Sequence, residues 1–202
     1  MSTAQGLIDF IDASPSPQHC VDVVKGRLLK AGFKELDLKH EPSTLSAGSS
    51  GFMSHSGTII AWRMGNKSPA ESGFRMLGAH TDSPNLRLKP NAEYTREGCI
   101  VWGVEVYGGV LLSTWMDRDL GLSGTVALRQ GDTIRTELIR IDRPIARVAN
   151  VAIHLNRTVN TEGLKLNKQR HMAPIVGLAK DGPVLIPLLC EELNCSEDEI
   201  LG

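Results

Sequence analysis

His80 and Asp82 stand two places apart at the start of "HTDSPNLRLKP", directly after the apolar run "FRMLGA". On an extended segment, residues i and i+2 point to one face. An imidazole and a carboxylate placed this way can converge. The carboxylate then fixes the ring tautomer and raises the basicity of the other nitrogen, which is what a metal ligand needs. A histidine delivered past a strand end with an acid beside it therefore points to metal chemistry. The bland reading is a surface strand end that happens to carry two polar residues.

Other chemistry-bearing residues are more ordinary. His55, in "SHSG", reads as a surface turn residue. His19 and His40 flank helix ends and read as solvated, as does His171 after Lys168-Gln169-Arg170. Glu191 and Glu192 sit in "LLCEELNC", a helical pattern, and read as a solvated face. In "WMDRDLG", Arg118 is expected to pair with Asp117 or Asp119 and fix a turn. Ser83 and Ser113 lack the Gly-x-Ser-x-Gly elbow of a serine hydrolase. His154 lies among small and apolar residues in "VANVAIHL" and needs a partner there. A buried, hydrogen-bonded structural histidine and a residue aimed at a second molecule both remain open.

The elements that must position these residues follow from patterning. Residues 3 to 12 are predicted as a helix, broken by Ser14-Pro15-Ser16-Pro17. Ser16 caps a second helix, with Pro17 at its first position, and Gly32 stops it after Ala31. Residues 42 to 50 form a polar loop. "GFMSHSGTIIAWRMG" reads as a hairpin turning at Ser56-Gly57, with Thr58 to Arg63 as a buried strand. Residues 66 to 73 read as a loop, and Phe74 to Ala79 as the apolar strand that delivers His80.

From 98 to 158 the texture is β-rich, with strands expected in CIVWGVEVY, GGVLLSTW, LSGTVALR, TIRTELIRI and VANVAIHL. A boundary is expected near Asn91 to Glu97. A helix is expected around Leu188 to Leu193, and Ser196 with Glu199 forms a capping-box pattern that starts another.

Composition excludes several classes. The net charge is -1 with Lys and Arg scattered, so nothing marks a surface for nucleic acid or anionic membrane. No apolar run approaches the ~20 residues of a membrane span. The acidic N-terminal stretch has no basic region of the kind that opens a secretory signal. Four cysteines form no C-x-x-C pair, which fits free thiols in the cytoplasm.

Longer strings then extend the first clue. "GAHTDSPNLRLKP" resembles the metal-ligand segment of the M18 metallopeptidases, the aspartyl aminopeptidase family. "FIDASPSPQHCVDVVKGRLLKAGFKELD" is similar to that family's opening helices. "YGGVLLSTWMDRDLGLSGTV", "VANVAIHLNR" and "LNKQRHMAPIVGL" are similar to later family segments, in the same order.

The resemblance implies an α/β fold: residues 1–92 as the N-terminal part of a metallopeptidase domain, and 93–202 as most of an inserted β-rich dimerisation domain. It implies removal of N-terminal residues from peptides, acidic ones among them, with two divalent cations, usually zinc (Zn2+). It implies a homodimer that builds a larger homo-oligomer. Carried over, His80 matches a metal ligand and Asp82 its orienting carboxylate. His154 matches a histidine sent toward a partner subunit's active site. The remaining family ligands, a bridging aspartate, a Glu-Glu pair, a later aspartate and a late histidine, have no counterpart in these 202 residues. The chain is therefore expected to be an N-terminal portion. The alternative is a non-catalytic oligomerisation or regulatory module derived from the same family.

Overall fold

The computed structural model describes residues 2–37, 39 and 46–202. His40 and the part of the expected loop at 42–45 lie outside the described residues. The class is mixed α/β with two separate sheets, in units Met1–Ser83 and Pro84–Gly202.

In the first unit, Ser2 caps α1 (Thr3–Asp12) by accepting the Gln5 N–H. Ser16 caps α2 (Pro17–Lys30) by accepting the His19 N–H, with Pro17 at the first position where no N–H is needed. α2 buries Cys20 and Val21. Gly32 follows at φ +82°, the left-handed geometry that ends a helix. A three-stranded sheet runs β1 (Lys34–Glu35), β2 (Ser50–His55) and β3 (Thr58–Arg63), with β2 in the middle. Phe52 on β2 is fully buried.

Three expectations in this unit need correction. β3 is not buried, because it is the edge strand, and Ile60 stands in solvent. Residues 66–73 hold one short helix, α3 (Pro69–Ser72), started by Ser68 accepting the Ala70 N–H with a proline at its first position. Phe74 to Ala79 is not a strand: among the described residues it pairs with no ladder. Phe74, Met76 and Leu77 are 76%, 88% and 103% exposed. The sequence pattern gave an apolar extended run correctly, but a strand also needs a neighbour to hydrogen-bond.

The second unit is a five-stranded sheet in the order β4-β5-β8-β7-β6. Its elements are β4 (Asn85–Arg96), β5 (Cys99–Tyr107), β6 (Asp119–Gln130), β7 (Thr133–Arg147), α4 (Val159–Glu162), β8 (Ile175–Leu178) and α5 (Leu185–Leu193). β4 runs through Pro90, and residues 91–96 continue it. Pro90 is tolerated because β4 is an edge strand and its ladder to β5 is broken between Leu88 and Glu93.

Two expected strands are short 3-10 turns instead, Leu112–Trp115 and Ile153–Leu155. Both lie in segments where an apolar run meets no free ladder. α5 covers β6 and β7 through Leu189, which packs on Val126, Leu128, Ile139 and Ile141. A second cluster gathers Val104, Val148 and Met172. The capping box at Ser196 and Glu199 forms, on a 3-10 turn.

Candidate functional site

His80 is carried by an extended segment that is anchored one residue later. The Thr81 hydroxyl donates to the Gly57 carbonyl at 2.7 Å. Gly57 sits in the β2–β3 turn, where a Cβ would come within 2.9 Å of Pro17 at the start of α2. The helix start, hairpin turn and His80 segment are therefore fitted to one another, and the turn needs a glycine for that approach.

The imidazole itself projects outward, 83% exposed. Its Nδ1 lies 2.8 Å from the Asp82 backbone oxygen and 3.4 Å from the Asp82 carboxylate. A carbonyl can only accept, so Nδ1 carries a proton, and in the neutral ring the lone pair is then on Nε2. That tautomer suits metal binding through Nε2. The backbone carbonyl of Asp82 makes the shorter contact, a partner that the i, i+2 argument from side chains alone did not identify.

Imidazole and carboxylate are the right donor types for zinc, but their number is too small. Among the described residues, no three His, Cys, Asp or Glu side chains gather as a metal cage. A zinc site takes three or four protein ligands. These residues alone do not fit a complete centre.

His154 lies on the 3-10 turn Ile153–Leu155 and is exposed, so the buried structural reading is wrong. Its neighbours Val151, Ile153 and Leu155 are exposed as well.

The remaining candidates have local structural contacts or stand in solvent. His19 is half-buried rather than solvated, because its Nδ1 lies 2.7 Å from the Ser16 hydroxyl. His171 accepts the Asn167 N–H at 3.0 Å and closes a loop. His55 is exposed at the end of β2. Glu192 pairs with Arg143, while Glu191 is exposed. That pair holds the Arg143 guanidinium more firmly charged than usual.

The DRD cluster works differently from expectation. Asp119 pairs with Arg147, not Arg118. The Asp117 carboxylate accepts the Asn150 backbone N–H at 3.0 Å. A long-range link from "DRD" to "VAN" has no signature in sequence spacing.

A family model described as aminopeptidase I zinc metalloprotease (M18) matches residues 10–201. The chain belongs to the M18 peptidase family. It is 46% identical over 199 residues to a probable M18 family aminopeptidase 2 of Streptomyces avermitilis, covering 97% of this chain and 45% of that protein. A protein of the same name from Pseudomonas aeruginosa is 45% identical over 178 residues, covering 88% of this chain and 41% of that one. The chain thus spans about half the length of these curated relatives.

Among solved structures, one of the Ape4 and Nbr1 complex matches with a TM-score of 0.90 at 32% identity, covering 98% of this chain and 42% of that one. Chaetomium thermophilum mApe1 matches with a TM-score of 0.86 at 32% identity, covering 98% and 48%. The S. cerevisiae mApe1 dodecamer, at 24% identity and a TM-score of 0.76, covers 98% and 46% and shares the fold. Among the described residues of this M18 chain, no helix is long and apolar enough to cross a membrane.

Proposed function

We propose that residues 1–202 are the N-terminal part of a metal-dependent aminopeptidase that removes N-terminal, including acidic, residues from peptides. One observation carries the reading: the exposed His80 imidazole, with Nδ1 held by Asp82 and Nε2 free for a metal. In this reading His80 is one zinc ligand and Asp82 orients it. The other ligands of a two-cation centre come from sequence beyond these residues. The compact unit before Pro84, with β4 leading out of it, corresponds to the first part of the metallopeptidase domain. In this reading the first part runs over residues 1–92 and so takes in β4 as far as Ala92, and residues 93–202 are most of the inserted dimerisation domain.

His154 and its apolar neighbours then face a second subunit of a homodimer, itself a building block of a larger homo-oligomer. The dodecamer formed by the yeast relative supports such assembly. Four free thiols fit a cytoplasmic setting.

The test uses the complete enzyme that contains residues 1–202. It should release N-terminal residues from peptides, lose activity to a chelator and regain it with zinc. His80→Ala should lower both retained zinc and turnover. The 202-residue chain alone should be silent with any divalent cation, and robust turnover by it would overturn the account of the missing ligands.

A further inference from the structure

We propose that Asp117 is a positioning residue for His154, acting through the Asn150 backbone N–H. This rests on the reading of His154 as a residue presented to a partner subunit, and deepens it.

The geometry is a staple followed by a free arm. Residues 116–119 hold residues 147–150 at successive points. Met116 and Val148 form a parallel bridge, and the Asp117 N–H donates to the Val148 carbonyl at 2.8 Å. Val148 is fully buried beside Val104 and Met172. Asp119 pairs with Arg147. The last of these points is the Asp117 carboxylate on the Asn150 N–H, at 3.0 Å.

Beyond Asn150, the described residues through His154 make only local hydrogen bonds. The Val151 N–H donates to the Asn150 side chain at 2.9 Å, and the Leu155 N–H to the Ala152 carbonyl at 2.9 Å. The short turn bearing His154 is internally closed, so its direction is set where it leaves the staple. A carboxylate is suited to that task, since a charged acceptor makes a stronger hydrogen bond to a backbone N–H than a neutral one.

Asp117 also occupies the left-handed region, at φ 55°. Asp and Asn tolerate this conformation better than other side-chain-bearing residues. The position therefore asks for an acceptor and for a positive φ together. Asn keeps both, Gly keeps only the backbone, and comparing them separates the hydrogen bond from strain.

The test has two arms. In the 202-residue chain, amide hydrogen exchange is followed residue by residue. Asp117→Gly should speed exchange at Asn150, Val151 and Leu155, the amides that donate hydrogen bonds in this segment, and leave β6 and β7 protected, and Asp117→Asn should restore protection. In the complete enzyme, Asp117→Gly should lower kcat by about tenfold or more at unchanged KM, because an angstrom-scale misplacement of a catalytic group can cost on the order of 10²-fold. Asp117→Asn should return most of that rate. Adding Asp117→Gly to His154→Ala should cost nothing further.

Unchanged exchange in Asp117→Gly, or no recovery in Asp117→Asn, overturns the proposal. If His154→Ala turns over like wild type, the role given to His154 fails, while the exchange arm still decides whether Asp117 sets the segment. Should Asp117→Gly not fold, Asn150→Pro removes the donated N–H from the other side, and the same loosening of residues 151–155 is expected. Wild-type exchange there would equally overturn the proposal.

Discussion

Glu93 and Trp102 are joined by a hydrogen bond at 2.9 Å from the indole N–H to the carboxylate. The same carboxylate accepts the Val184 and Leu185 N–H groups at 2.9 and 2.8 Å. α5 has no side-chain cap of its own, so a residue on β4 supplies one from 91 positions away. Its negative charge also sits at the positive end of the helix dipole. Glu93→Ala would strand three donors, two of them backbone. Hydrogen bonds to charged groups contribute about 1.5–3 kcal/mol each, and orphaned donors add to the loss. We expect destabilisation of about 3 kcal/mol, read by denaturant unfolding, with Trp102 fluorescence reporting the local change. Glu93→Gln should lose less, because one acceptor oxygen remains.

Gly121 is required by the β6–β7 ladder. The register slips between Leu120 and Leu122, and a Cβ at 121 would lie 2.1 Å from the Ile141 carbonyl oxygen. Backbone cannot swing aside as a side chain can. Gly121→Ala should cost about 3 kcal/mol, the upper end of usual overpacking penalties. Gly124→Ala, three residues along the same strand with open space around it, should cost under about 1 kcal/mol. Equal midpoints for the two variants in urea would remove Gly121 from this role.

These two positions show where sequence reading succeeds and where it stops. Ser16-Pro17, Ser56-Gly57 and Ser196 with Glu199 were legible because each cap or turn is completed within a few residues. The glycine of "DRDLG" was visible as a letter, but its reason, the Ile141 carbonyl, lies twenty residues away. Glu93 gave no signal at all, since nothing local marks a strand glutamate as the cap of a distant helix. At the site, the i, i+2 spacing put the Asp82 carboxylate near the His80 ring, at 3.4 Å, but gave no sign of the shorter contact to the Asp82 backbone oxygen. The exposure of His154 was not legible, because an apolar run such as "VANVAIHL" has the same composition whether it fills a core or faces a partner.

The bare apolar run at Phe74, Met76 and Leu77 gives a third prediction. In the 202-residue chain, replacing all three with Ser should reduce binding of a hydrophobic dye and reduce self-association. It should leave folded stability within about 0.5 kcal/mol per site, as for ordinary surface changes. In the complete enzyme the same triple change should be strongly destabilising if other strands cover this segment. Marked destabilisation of the short chain would show that the segment is already packed.

Cys195 offers a pH test. Burial pushes its thiol above the ordinary range, and the adjacent Cys190 adds to the shift. The folded thiol therefore holds its proton where an unfolded one has begun to lose it. Above the ordinary thiol pKa the unfolded state binds fewer protons, so folded stability falls as pH rises through that window. Alkylation of Cys195 should accelerate only at higher pH than that of an unfolded peptide containing the same sequence. Cys195→Ala should flatten the alkaline decline in denaturant midpoint. Alkylation of Cys195 with the pH profile of the free peptide would contradict the burial argument.

The role proposed for His154 can be tested by mixing. On the proposed roles, His80→Ala in the complete enzyme removes a metal ligand and His154→Ala a hydrogen-bond donor aimed at the partner's site. Loss of one such donor lowers turnover on the order of 10²–10³-fold. Each variant alone should therefore be nearly inactive. After dissociation and reassembly together, mixed pairs form in which the His154→Ala subunit keeps its metal ligand and receives His154 from its His80→Ala neighbour. One site of each mixed pair is then whole, while the other lacks both groups. Random pairing makes half the dimers mixed, so activity should return to roughly a quarter of wild type. Recovery of that size requires His154 to act across the subunit boundary, because no subunit in the mixture carries both histidines. If mass spectrometry shows mixed pairs and activity stays at the level of the separate variants, His154 works within its own chain or only in packing.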